Sequence, residues 1–339
     1  MANEPDEPSA TAGSGGETAP SSPPQPLWRR ALPFVLGLGL IVFVVARLDL
    51  HAFVQNLLRV NVPLYLGFCL VFILVLLGAD AFATALVYRR SVAPVRFLDF
   101  YVVRGAAYLP SILNHHVGQA FITYFLSRAH GVPLWRVAGA TLLVYASWMG
   151  CLLGLLCVAL LLTGKPAAWL VLPLGAGVIY LAVIVWRPAM LARRALLAPL
   201  FEAGVTGHLI ALVARLPHLA VLFVGTWVPF LFFDVNIPLS AALTYIPILM
   251  VASTLPLTPQ GVGTRDVLAA MLFEGFAAGE TSEQRLAAIA AATASFAVVI
   301  TLIEVVIGAI LMRLVLPRLD RARGEASPKS PEAQPEVLP

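Results

Sequence analysis

A run of apolar residues long enough for a membrane helix occurs six times in this chain, at roughly 31–48, 63–88, 137–163, 167–186, 217–235 and 286–312. A spanning helix needs about 20 such residues to cross a hydrocarbon core of roughly 30 Å. Lipid offers the backbone no hydrogen-bond partners, so these runs must satisfy their own N–H and C=O groups as helices. Charged residues make up only 12% of the chain, about half the share usual in soluble domains. The longest polar stretches are the first 28 residues, the last 20 or so, and the loop from Trp186 to Pro217. None can hold a catalytic domain of ~100 residues. The expected class is therefore an all-α polytopic membrane protein.

Two further apolar segments, 97–127 and 239–278, are interrupted in the middle by polar residues, Pro or Gly. Each arm runs ~14–17 residues, or about 21–26 Å at the helical rise, which is short of a full crossing. Basic residues give the orientation, because cytoplasmic loops collect Lys and Arg. With the N-terminus inside, 16 basic residues fall on the cytoplasmic side, Arg215 among them, and only Arg47, Arg59, Lys165 and Arg285 fall outside. Arg104 and Arg265 belong to the broken segments. Parity then gives 97–127 both ends in the cytoplasm and 239–278 both ends outside. Each is a re-entrant hairpin or a pair of short helices, and charge counting does not separate the two. The halves 31–163 and 167–312 share one plan in opposite orientation, an inverted-repeat arrangement of the kind transporters build around broken helices near the midplane. A helix along the cytoplasmic surface is expected around Leu209, Val213 and Leu216, which recur at helical spacing.

Intramembrane polar groups are costly, so each is a candidate for function. The first broken segment carries Arg104, Pro110, Asn114, His115, His116 and Gln119. They either meet a polar ligand or cap a helix at the hairpin tip. His115 and His116 point about 100° apart on a helix and make a poor metal pair, although His titrates near neutrality and suits proton coupling. The second broken segment carries Thr258, Gln260, Gly261, Gly263, Arg265 and Asp266. Its glycines leave backbone N–H groups open, a helix starting near Thr264 directs its positive end at the loop, and Arg265 can hold a phosphate or carboxylate with two parallel bonds. The plainer alternative is an Arg265–Asp266 contact that neutralises the loop. Asp80 and Glu304 lie inside spans, each nine residues before an arginine, hence about 13 Å from the cytoplasmic edge. They balance charge or accept protons, with Arg104 a plausible partner for either.

Other features are plainer. Cys69, Cys151 and Cys157 all lie in apolar runs and read as small core residues. Residues 1–28 are rich in Pro, Ser, Gly and Glu, and read as a disordered tail. No small-residue cleavage site follows Trp28-Arg29-Arg30, so the first span reads as an uncleaved anchor. Residues 29–316 read as the transmembrane domain and 317–339 as a second disordered tail. No hydrolase elbow, nucleotide loop or metal-ligand motif is present, so no enzyme, cofactor or metal is expected.

The segment Pro256-Leu-Thr-Pro-Gln-Gly-Val-Gly-Thr-Arg-Asp266 resembles a motif of the form Pro-x-Ser/Thr-Pro-Gly-Gly-hydrophobic-Gly-x-x-Glu, with Gln260 for one glycine and Asp266 for the glutamate. That motif is characteristic of the membrane region of lysylphosphatidylglycerol synthases, the flippase-like family, which this chain therefore resembles. Pro110, Gly118, Gln119 and Phe125-Leu-Ser-Arg-Ala-His-Gly131 are similar to an earlier motif of that family, with Gln119 in place of its acid. The resemblance covers most of 31–316. It implies a bacterial inner-membrane protein, both termini cytoplasmic, that moves an amphipathic phospho- or glycolipid between leaflets. The chain ends soon after its last span, so the soluble domain that makes the aminoacylated lipid is not expected. Arg104, Asn114, His115, Gln119, Thr258, Gln260, Gly261, Gly263, Arg265 and Asp266 are the expected headgroup contacts, with Asp80, His116 and Glu304 for charge or proton coupling. The alternative is a membrane partner or scaffold of an enzyme that makes a cell-envelope lipid or glycan. Nucleic acid is not an expected partner.

Overall fold

A computed structural model describes residues 50–112, 114–164, 166–254 and 264–325. The expected first span, 31–48, lies outside them. In chain order the helices are α1 (Leu50–Arg59), α2 (Val62–Ser91), α3 (Phe97–Ala106), α4 (Tyr108–Ser111), α5 (His115–His130), α6 (Leu134–Leu162), α7 (Val171–Trp186, after a short 3-10 turn Ala167–Leu170), α8 (Ala189–Ala192), α9 (Ala198–Leu231), α10 (Leu239–Thr254), α11 (Thr264–Phe273) and α12 (Ser282–Glu325). Among the described residues, five stretches are long and apolar enough to cross a membrane: Val62–Ser91, Leu134–Leu162, Ala167–Trp186, Ala198–Leu231 and Ser282–Pro317. The protein is an all-α, multi-pass membrane protein, as expected.

Local chemistry sets the helix ends. Asn61 caps α2 by accepting from the Leu64 N–H at 3.2 Å, and α2 ends on Arg89 and Arg90, where basic groups offset the negative end of the helix. Arg96, Arg128, Arg136, Arg187 and Arg313 lie at the same end of the bundle, as alternate helices run in opposite directions. We call it the basic end. Gly131, at φ 61°, closes α5 in a left-handed turn.

The two broken segments are pairs of short arms, α3 with α5 and α10 with α11. Each pair has its own core. Near the basic end Tyr88, Phe100, Val103, Ile122, Leu126 and Val315 pack together. At the opposite end Cys69, Leu152, Ile246, Leu249, Phe273 and Ile289 do so. The first break does not fall on Pro110, which sits in the first turn of α4, where a missing N–H costs nothing. It falls at Ala107 and again after Ser111. This tip is packed too closely for side chains at two positions. A Cβ on Gly118 would meet the Ala107 carbonyl at 2.9 Å, and one on Gly308 of α12 would meet the Leu109 backbone N at 2.9 Å.

The span expected at 217–235 starts earlier, and the surface helix expected over Leu209, Val213 and Leu216 is part of it. One element, α9, runs from Ala198 to Leu231, with a break at Gly204 (φ 56°, ψ −172°) and with Pro217 and Pro229 inside it. Leu209, Val213 and Leu216 are 53%, 60% and 46% exposed and form its outward apolar stripe. Two polar residues within this stretch, His208 and Arg215, turn inward and are buried. Arg215 therefore leaves the cytoplasmic tally, which becomes 15 to 4 and keeps its sign.

Glycine substitutions test this packing. Gly118→Val and Gly308→Val should each lower stability by about 1–3 kcal/mol through overpacking. Gly154→Val, where a Cβ meets nothing within 4 Å, should leave the thermal midpoint of the detergent-purified protein unchanged.

Candidate functional site

The charge centre of the bundle is built on Asp80 of α2, which is 8% exposed. Its carboxylate accepts from Arg104 Nε of α3 on one oxygen and from Arg215 Nη1 of α9 on the other. Thr84, one turn along α2, donates to the same carboxylate at 3.4 Å and accepts from Arg215 Nη2 at 3.1 Å. His218 Nδ1 stands 4.0 Å away. Arg104 lies over the Tyr108 ring at 5.7 Å, and the Trp148 ring meets the His218 ring edge-on at 5.3 Å.

Burying one charge is expensive, and a pair is tolerated only where the geometry is good. Here two guanidiniums share one carboxylate, so the cluster carries a formal charge of +1 with His218 neutral. Arg215 Nε is buried without a hydrogen-bond partner. Glu304 interacts electrostatically with Arg104. Among the described residues it makes no hydrogen bond or ion pair. The three-residue cluster thus holds a positive surplus that the Glu304 carboxylate, when ionised, offsets from Arg104's side, and its unused N–H donor on Arg215 suits an anionic group.

Two cavities flank this cluster along the same three helices. The one toward the basic end has a volume of about 310 Å³ and is lined by Leu86, Val87 and Arg90 of α2, Leu143 of α6, and Thr206 and Ala211 of α9. The other, of about 290 Å³, is lined by Phe72 and Leu76 of α2, Trp148 of α6 and Leu222 and Gly225 of α9, and also by Arg265 and Glu304. Reading along α2, residues 86–87, 80–84 and 72–76 belong in turn to the first cavity, the cluster and the second cavity. Along α9 the corresponding stretches are 206–211, 215–218 and 222–229.

The structure brings together some of the residues singled out in the sequence and separates others. Arg104 pairs with Asp80 rather than with Glu304. Arg265 and Glu304 share the second cavity. Arg265 Nη2 donates to the Thr293 carbonyl at 3.3 Å, and its Nε is 3.9 Å from Asp266, so the neutralising contact is present beside the open cavity. Asn114 caps α5, accepting from the His116 N–H at 2.8 Å. His115 and His116 are exposed, with their ring centroids 6.0 Å apart. Gln119 is half-buried, and its carbonyl accepts from Thr123 at 2.8 Å. Neither cavity is lined by Asn114, His115, His116 or Gln119. Thr258, Gln260, Gly261 and Gly263 lie outside the described residues.

Sequence reasoning missed Arg215, His218, Thr84 and Trp148. The available signal was the pair Arg215 and His218, three apart on one helical face and flanked by apolar residues. Charge counting had assigned Arg215 to a loop.

Removing the shared acid should be the most damaging single change. Asp80→Ala leaves two buried cations unpaired and should cost about 3–5 kcal/mol, read as a lower thermal midpoint in detergent. Arg104→Met leaves Asp80 with Arg215 and should cost less. Equal losses would mean that the carboxylate is not shared.

The chain matches the family model described as lysylphosphatidylglycerol synthase TM region over residues 30–303. No curated protein and no solved structure matches it. With the match extending from the N-terminal arginines to within one residue of Glu304, and with the bundle all-helical around it, this protein belongs to the lysylphosphatidylglycerol synthase transmembrane-region family.

Proposed function

We propose that this protein moves an amphipathic phospho- or glycolipid between membrane leaflets, without chemistry of its own. The observation that supports this reading is the cationic cluster lying between two cavities that share α2, α6 and α9. Arg104 and Arg215 line neither cavity, so in this reading a headgroup entering from either side reaches the same guanidiniums by displacing the side chains between. A phosphate can take up the free Nε of Arg215 and compete with Asp80 for Arg104 and Arg215. The anion is then held by bidentate, charge-assisted bonds, while its tails remain in the surrounding lipid. Arg265 offers a second cationic contact on the far side of the cluster. Trp148, which lines one cavity and packs on His218, separates that cavity from the cluster. Asp80 and Glu304 keep the path from becoming a fixed anion trap, since either can replace the departing headgroup as partner.

In this reading the basic end faces the cytoplasm of a bacterial inner membrane and both termini are cytoplasmic, as the excess of Arg at that end supports. The family's connection to lipids fits the same reading.

The test is a scrambling assay in proteoliposomes, with a fluorescent phospholipid and a membrane-impermeant quencher. The wild type should equilibrate the probe between leaflets. Arg215→Met and Arg104→Met should slow it by 10-fold or more, and Arg265→Ala and Glu304→Gln should slow it measurably. Wild-type rates in all four variants would remove the site. No exchange by the pure chain, together with a stable copurifying biosynthetic enzyme, would favour a scaffold instead.

A further inference from the structure

A third cavity, of about 340 Å³, lies between α6, α7 and α9, away from the charge cluster. Its walls are apolar and include Leu153, Leu174, Val178 and Leu212. Glycine contributes from two helices, as Gly150 and Gly154 on α6 and Gly177 on α7. Small residues four apart in membrane helices usually let two backbones approach closely. These do not. A Cβ on Gly154 or on Gly177 would meet nothing within 4 Å, so the glycines hold a slot open. The slot is reached from the outer surface, where Leu174, Val178 and Leu209 are 54%, 65% and 53% exposed. α7 is loosely seated, with only Pro173 and Ile184 buried. At this depth the solvent is hydrocarbon, and an empty slot forfeits dispersion contacts along its whole lining.

One polar pair marks the slot. His208, 8% exposed, bonds through Nδ1 to the Gly204 carbonyl and through Nε2 to the Tyr180 hydroxyl, both at 2.7 Å. A carbonyl only accepts, so Nδ1 carries the proton. In a neutral imidazole Nε2 then accepts, and Tyr180 donates its O–H to it. The Tyr180 oxygen keeps lone pairs and has no proton left to give. A ligand group reaching it must be a donor, which excludes ester carbonyls and admits a hydroxyl or an amide N–H. Tyr180 is seven residues from Arg187, about 10 Å from the basic end, and Pro173 is about 21 Å from it. A lipid of the basic-side leaflet would therefore set its hydroxyl or amide at Tyr180 and run its chain toward Pro173.

We infer that this slot is a binding site for one hydrocarbon chain of a membrane lipid bearing a hydroxyl or amide N–H near its headgroup. It is separate from the proposed transport path, and its test needs no transport.

The experiment is photolabelling of the full-length protein in nanodiscs with two probes carrying a diazirine in the tail, one a ceramide and one a diester phosphatidylcholine. The ceramide should label peptides from 146–157 and 173–181 several-fold more than the diester. Gly154→Leu and Gly177→Leu should abolish labelling there by both probes, with unchanged elution on size exclusion. Tyr180→Phe, which keeps the slot, should reduce ceramide labelling to the diester level. Labelling that survives both leucine substitutions, or equal labelling by the two probes in the wild type, would overturn the assignment.

Discussion

The arrangement depends on one carboxylate shared by two arginines. Asp80 draws α3 and α9 to α2 through Arg104 and Arg215, and the helices that line both principal cavities meet near this point. Such a contact gives little net stability, because desolvating three charges offsets most of their attraction. Its structural effect is specificity. A slip of α9 by one turn would remove Arg215 from Asp80 and strand a cation among apolar side chains. The glycines at the α4 tip act in the same direction by steric means, since Gly118 and Gly308 admit the tip at one height only.

The bundle separates its tasks by level. Each two-armed hairpin contributes to a core at its own end, one around Phe100 and Ile122 and the other around Ile246 and Phe273. The buried ion pairs of Asp80 lie at the level between them. The polar groups that do enter the cores are paired within them, Tyr88 with Thr141 at 2.7 Å and Tyr65 with Ser295 at 3.2 Å.

Much of the fold was legible in the sequence. Apolar run length located α2, α6, α7 and α12, and the interruptions located both pairs of short arms, because burial of the backbone in lipid leaves few alternatives to helix. Asp80, Arg104, Arg265 and Glu304 were legible as costly intramembrane charges, and all four line or form the central region. What was not legible has physical causes. Arg215 sits near a proline and a polar stretch, so local composition reads as loop, whereas its partner is 135 residues away. Asn114 looked like a ligand because a helix cap and a binding group use the same side-chain oxygen. The slot beside α7 left no trace, since a glycine that admits a neighbour and one that admits nothing are identical in sequence.

Pro217 gains meaning from its position. It lies between Arg215 and His218, at the level of the cluster, and it cannot donate a hydrogen bond to the carbonyl of Val213. The backbone of α9 is therefore compliant at the height where its guanidinium leaves for Asp80. Bending α9 and loosening the ion pair become one coordinate, so whatever engages Arg215 also acts on the angle between the two halves of that helix.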